Sequence, residues 1–206
     1  MGTLTYLGRT LADSTDRTWS LSVHGTVIGA SAASKFALPG SVETYVRQIL
    51  KPQTFLGNEI TENGHRREPY LLTWAGAERN TQFIHAVGNT RFAATPDGVI
   101  STRDGMRLAQ TTAKHNRIVT GPTPAEIRQM AWQLMCVPEA DGVDFVWGEY
   151  VREPDSVWVL RRDPETIRFD RDHPSITRAT ALIVPIAHEV IAALDSARLT
   201  AKGLSF

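Results

Sequence analysis

Phe92-Ala93-Ala94-Thr95-Pro96-Asp97-Gly98-Val99-Ile100 and Met106-Arg107-Leu108-Ala109-Gln110-Thr111-Thr112-Ala113-Lys114-His115 place a β-hairpin in the middle of the chain. Both stretches are rich in β-branched and apolar residues, and Asp104-Gly105 between them is a strong turn pair, so they predict two antiparallel strands. A two-residue turn would set Arg103 against Met106 and, counted back, Asp97 against Thr112. Because side chains alternate along a strand, residues 108, 110, 112 and 114 share one face in any register. Taken alone, Asp97 in Thr95-Pro96-Asp97-Gly98 reads as a turn residue.

Outward from the hairpin the pattern turns helical. Val42, Tyr45, Val46, Ile49 and Leu50 line one face of Ser41 to Leu50, with Pro39-Gly40 ahead as a start signal. Pro124 to Val137 predicts an amphipathic helix: Thr123 caps it, Pro124 suits its first position, Glu126 sits in the first turn, and Ile127, Met130, Ala131 and Leu134 form the apolar stripe. Asp144 to Val151 and Ser156 to Arg161 predict strands, and Ala179 to Leu199 a closing helix interrupted or kinked near Pro185. Helix, hairpin, helix, strands, helix is the order of a mixed sheet flanked by helices, α/β or α+β in class. With no internal repeat or low-complexity run, the 206 residues read as one domain, residues 1–206.

Composition narrows the chemistry. A hydrophobic content of 42% supplies a core. Lys plus Arg and Asp plus Glu each total 22, and the resulting zero net charge argues against an all-over basic nucleic-acid binder while leaving room for a local basic channel. The single cysteine, Cys136, excludes an internal disulfide, a CxxC zinc pair and a cysteine-bound iron-sulfur cluster, and suggests a reducing cytoplasm. No run of about 18 apolar residues is expected to span a membrane, and Met1 to Leu7 lack the layout of a secretion signal. The nucleophile elbow G-x-S-x-G, the phosphate loop G-x-x-x-x-G-K-[ST] and the zinc helix H-E-x-x-H are absent. His65, His85, His115 and His188 are not spaced as a metal cluster.

What remains is a polar set gathered by the expected topology: Glu68 on a helix, Asp97 on the first hairpin strand, Gln110 and Lys114 on the second. Two carboxylates and an amide carbonyl in one pocket suit a hard cation such as Mg²⁺. Such an ion activates water and offsets charge on a phosphate under attack, with a lysine nearby to assist.

Five segments in order resemble the phage-type exonucleases of the lambda-exonuclease/YqaJ recombinase group, which have a PD-(D/E)xK nuclease fold. Ile28-Gly29-Ala30-Ser31, following Trp19, is similar to that group's I-G-(A/G)-S opening, and Gly64-His65-Arg66-Arg67-Glu68-Pro69 to the G-x-x-x-E-P segment that supplies its helical Glu. Ala94-Thr95-Pro96-Asp97-Gly98 matches A-T-P-D-G, Arg128-Gln129-Met130-Ala131-Trp132-Gln133-Leu134 resembles R-Q-V-Q-W-Q-L, and Phe145-Val146-Trp147 resembles F-V-W. The departure falls on the second hairpin strand, where the group carries E-x-K and this chain has Leu108-Ala109-Gln110-Thr111-Thr112-Ala113-Lys114. Aligned on the Thr pair, Leu108 and Gln110 take the Glu and Lys positions; shifted by two, Gln110 and Thr112 do.

The resemblance implies a Mg²⁺-dependent deoxyribonuclease, with Mn²⁺ as a substitute, that resects double-stranded DNA ends from 5′ to 3′ for recombination. Glu68, Asp97 and Gln110 would hold the metal, Gln129 would support the site or its water, and Lys114 would reach back about 7 Å as a displaced lysine. Ser31 and the amides after Gly29 would receive a DNA 5′-phosphate, with Ala32 where the group has an acidic residue; a plain helix cap is the competing role for Ser31. A solvent-facing position is the competing reading of Gln129. The group further implies a ring-shaped homo-oligomer such as a trimer, a single-strand annealing protein as partner, and the cytoplasm of a bacterial host, with a phage or prophage gene. Loss of E-x-K opens two alternatives: a protein that binds or caps DNA ends without cutting, or an inhibitor of other proteins on the same scaffold.

Overall fold

In the computed structural model, which describes residues 4–15, 26–50, 59–155 and 157–201, the alternating stretch Met106–His115 forms the long strand expected of it. Trp19 and Ser156 lie outside the described residues. In chain order the elements are β1 (Thr10–Asp13), α1 (Ala30–Ala33), α2 (Val42–Leu50), α3 (Glu59–Trp74), β2 (Glu78–Arg79), β3 (Gln82–Ala86), β4 (Asn89–Ala94), β5 (Gly98–Ser101), β6 (Met106–His115), α4 (Pro124–Cys136), β7 (Gly142–Arg152), β8 (Trp158–Leu160), β9 (Glu165–Asp170) and α5 (Pro174–Ala201). The described strands make two sheets, a three-stranded β1-β3-β4 and a six-stranded β2-β5-β6-β7-β8 with β9 also on β7.

The first hairpin strand is not one strand. Pro96 has no N–H to give a ladder, and the chain leaves the small sheet after Ala94 and enters the large one at Gly98. Buried Asn80 ties down the joint: its Nδ2 donates to Pro96 O at 2.9 Å and its backbone N–H to Asp97 O at 2.9 Å. Gly98 is required next to it, because a Cβ there would lie 2.6 Å from Leu72 Cδ2 and 2.9 Å from Glu78 O.

The turn is also longer than the two residues assumed. Ser101 pairs with Met106, leaving Thr102 to Gly105 as the connection, closed by Thr102 N–H on Gly105 O at 3.0 Å. Extending the register Gly98↔Ala109 by one position sets Asp97 opposite Gln110, not Thr112.

From β6 the chain crosses through α4 to β7, which lies parallel to β6 from Arg107↔Gly142 to His115↔Tyr150. The crossover helix starts as its sequence dictates: Thr123 and Glu126 form a reciprocal capping box with Pro124 in the first turn. At its far end Arg171 donates to the carbonyls of Leu134 at 2.9 Å and Val137 at 2.8 Å, filling acceptors that the last turn leaves open. Met130, Ala131, Trp132 and Leu134 bury the inner face, and Trp132 Nε1 donates to Ala93 O at 2.9 Å. On the opposite side of the sheet, α3 packs over β6 and β7.

Two expectations at the C-terminal end change. α5 is continuous through Pro185, starting earlier than predicted, and β9, unforeseen in the sequence, covers the second edge of β7. α5 is long and apolar enough to cross a membrane by length and composition, which corrects the expectation that no stretch qualifies. Its apolar residues are used in the core: Ile183, Ile186, Ala187, Val190 and Leu194 are buried in the cluster shared with α4, and α2 packs against the same helix.

Candidate active site

The mouth of the hairpin gathers the polar residues singled out above. Asp97 Oδ2 accepts three hydrogen bonds, from Thr111 N at 2.6 Å, Thr111 Oγ1 at 2.9 Å and Gln110 Nε2 at 2.9 Å. Burial pushes the Asp97 carboxyl up; the Thr111 amide opposes this, the negative field of Glu68 adds to it, and the result is about 7. Near neutral pH this group is therefore poised between its protonated and ionised forms. Glu68, on α3, is partly buried and meets Arg79 Nε at 3.2 Å.

Gln110 is nearly fully buried, 5% exposed, and connects Asp97 to the crossover helix. Its Oε1 accepts from Gln129 Nε2 at 3.1 Å and from Gln133 Nε2 at 2.6 Å. Gln129 thus faces inward from α4, and Gln133, four residues on and fully buried, joins it from the same side. Gln133 Oε1 is buried with no hydrogen-bond partner. Leu108 lies in the apolar core, so of the two ways of laying E-x-K on β6, the one with Gln110 at the acidic position has a polar side chain touching Asp97.

Lys114 Nζ lies 2.5 Å from Glu126 Oε1 and 5.7 Å from the centre of the Phe145 ring. Phe145 is the register partner of Gln110, so the amine leans back along β6 toward the site. Burial raises the Glu126 carboxyl, but the hydrogen bonds from Lys114 and Thr123 outweigh it and hold the group below the usual carboxylate value. One side chain therefore both caps α4 and anchors the lysine.

Ser31 is exposed on the single turn α1. Gly29, not Ser31, occupies the cap position there, and Gly29 O accepts from the amides of Ala32 and Ala33, each at 3.0 Å. Arg128 of α4 borders the same turn, its Nε donating to Ser34 O at 2.7 Å.

Among the described residues, no group of three or more His, Cys, Asp and Glu side chains comes together. A cation beside Asp97 would find the carboxylates of Asp97 and Glu68, with its third protein oxygen from a carboxamide. That all-oxygen set fits a hard divalent cation on one condition: Gln110 must turn its carbonyl to Asp97, whereas here it presents its N–H. Sequence reasoning did not find Asn80, Thr111 or Gln133, which fix the joint, the Asp97 carboxylate and the Gln110 amide.

No protein-family model matches the sequence, and no curated protein does. Among solved structures the chain is similar to the alkaline exonuclease LHK-Exo from Laribacter hongkongensis, with 18% identity and a TM-score of 0.62 over 92% of this chain and 100% of that one. The complex of LHK-Exo with dAMP gives 19% and 0.63 over the same shares. A phage-related exonuclease from Haemophilus somnus 129PT gives 14% and 0.56 over 84% of this chain and 96% of that one. The chain has the mixed α/β fold of these alkaline and phage-related exonucleases, in keeping with the resemblance to the lambda-exonuclease/YqaJ group.

Proposed function

We propose that this protein is a metal-dependent deoxyribonuclease that resects double-stranded DNA from 5′ ends. The observation that carries the reading is the hydrogen-bonded set Asp97, Gln110 and Gln129 at the hairpin mouth, within the field of Glu68, on an exonuclease fold. Asp97, Glu68 and Gln110 would hold Mg²⁺ or Mn²⁺, which when bound supplies a Lewis acid for the phosphate oxygen and an acidified water. Gln129 orients Gln110 from the helix side. Lys114, held by Glu126, lends positive charge to the approach of the phosphate. The exposed Ser31 hydroxyl, on the turn whose Ser34 carbonyl accepts from Arg128, is the contact for the DNA 5′-phosphate. The resemblance adds a ring-shaped homo-oligomer, such as a trimer, that encloses duplex DNA, with a single-strand annealing protein taking the product strand.

The test is digestion of linear, 5′-phosphorylated duplex DNA with Mg²⁺ and separately with Mn²⁺, beside an Asp97→Ala control. Degradation by the parent that disappears in the control supports the reading.

One observation favours a second reading, a DNA-end-binding protein that does not cut: Gln110 gives an N–H to Asp97 where the related group has a carboxylate, and Thr112 stands at the lysine position. Intact DNA with either metal, together with a gel shift at low salt where phosphate contacts are strongest, would select it.

A further inference from the structure

Glu68 lies on the Arg79 side of α3, and the other flank of that helix is open. Tyr70 and Trp74 lie there, each 46% exposed, one turn from each other and about 6 Å apart along the axis. The exposed Arg66 stands one turn before Tyr70. Arg67 shows which way this flank looks, because its Nη2 reaches β8 and donates to Trp158 O at 2.7 Å. A Cβ on Gly148 would meet Leu71 Cδ2 at 3.1 Å, so α3 covers the Gly148 face of β7. Side chains alternate along β7, which puts Asp144 and Val146 on that face, and the pairings Asp144↔Arg168 and Val146↔Thr166 put Arg168 and Thr166 of β9 there as well. Both β9 residues are exposed, the Arg168 side chain by 76%. The carboxylates of this face are taken: Asp144 is buried and bridged by Arg107 and Arg168, and Asp170 is bonded to Arg107. Two aromatic rings bordered by arginines thus stand open, in a chain whose net charge is zero.

Apolar ring faces left in water are unfavourable until something covers them. Rings bordered by guanidinium groups suit a nucleic acid, whose bases stack on the rings while its phosphates meet the arginines. A duplex hides its base faces in its own stack, so only an unpaired strand can use these rings. Resection leaves such a strand. We propose that the Tyr70–Trp74 flank of α3, with Arg66 and Arg168 at its borders, is a stacking platform for single-stranded DNA that receives the strand resection spares. Which strand it takes rests on the reading of the protein as a resecting nuclease; the stacking itself calls for no metal. Glu68 is about 200° round the helix from Tyr70, so a strand held on the platform is kept away from the candidate site.

Fluorescence anisotropy of a labelled oligo(dT) of about 20 nucleotides, at low salt with a chelator to stop cleavage, tests it on four full-length proteins: the parent, Tyr70→Ala, Trp74→Ala and Trp74→Phe. Each alanine variant is expected to bind the oligonucleotide about tenfold more weakly, the scale of one stacked base, and Trp74→Phe, which keeps a ring, should recover most of the loss. A blunt duplex of the same length should bind all four within about twofold. A parent that does not bind oligo(dT), alanine variants that bind it as the parent does, a phenylalanine variant as weak as the alanine one, or equal losses on duplex and single strand would each overturn the platform. So would a smaller particle on sedimentation of either alanine variant, which would make this flank a contact between copies of the chain. Digestion of duplex DNA by the parent judges the nuclease reading separately. Intact duplex, with oligo(dT) binding lost in Trp74→Ala and kept in Trp74→Phe, would support the platform and remove only the nuclease.

Discussion

Replacing Asp97 by Asn should stabilise the protein in alkaline solution and do little in acid. In the folded chain burial and the field of Glu68 bring the Asp97 carboxyl from its usual 3.8 to about 7. Below about pH 4 the group is protonated folded and unfolded alike and contributes nothing. Between pH 4 and 7 the folded state keeps a proton that the unfolded chain has released, so stability falls as pH rises, and above 7 the whole penalty is present. At 1.36 kcal/mol per pH unit the full penalty is roughly 4 kcal/mol, and the part lying between pH 5 and pH 8 is about 3 kcal/mol. Residual solvent contact at this partly exposed residue lowers the expected change to about 2 kcal/mol. Urea unfolding of parent and Asp97→Asn at pH 5, 6, 7 and 8, with a chelator present, isolates it, because titrating groups that do not interact with Asp97 cancel in the difference. A difference that stays flat over that range, or that moves against the variant as pH rises, would refute the account of Asp97 as a carboxyl held out of its preferred state.

Arg107 bridges Asp144 at 2.6 Å and Asp170 at 2.8 Å, and Asp144 is 3% exposed, so Arg107→Met should cost about 3 kcal/mol by leaving a buried charge poorly paired. The double change Arg107→Met with Asp144→Leu should recover most of that in the same urea experiment. Thr123→Ala, removing the capping hydroxyl of α4, should lower stability by about 1 kcal/mol. Thr112→Lys should change DNA cleavage by less than about tenfold if Lys114 already supplies the positive charge; a gain of roughly 100-fold, the scale of a restored acid-base group, would exclude Lys114 from that role.

The elements legible in the sequence are those written in local signals. Thr123, Pro124 and Glu126 define the start of α4, and the turn pair Asp104-Gly105 announces the hairpin. The break at Pro96 was not legible, because whether a proline bends a strand or moves it to another sheet depends on what lies beside it, here Asn80 and the small sheet. At Pro185 the sequence offers an interruption or a kink; the helix is not interrupted, and Ile183, Ile186 and Ala187 on either side of the proline are buried. β9, Glu165–Asp170, carries three charged residues in six, Glu165, Arg168 and Asp170, and looks like a surface loop until the edge of β7 is there to receive it.

At the site, Asp97 and Gln110 follow from the expected topology and Gln129 from motif resemblance, while the register that joins Asp97 to Gln110 rather than Thr112 needs the true turn length. Gln133 did have a signal. With Glu126 and Gln129 it forms a polar line at helical spacing beside the apolar stripe of α4, and polar residues so close to a buried stripe need partners across the interface.

The position of Pro96 has a consequence for how the molecule opens. β7 is hydrogen-bonded on both edges, and every residue from Gly142 to Tyr150 is buried, so its amides should exchange with deuterium only on global unfolding. The three-stranded sheet has the exposed Val87-Gly88 turn at its tip and should open first, as a separate unit. Asp97 then stands on the seam between a slow-exchanging body and a fast one. Anything that grips the small sheet would slow exchange in β3 and β4, and would steady the carboxylate without touching it.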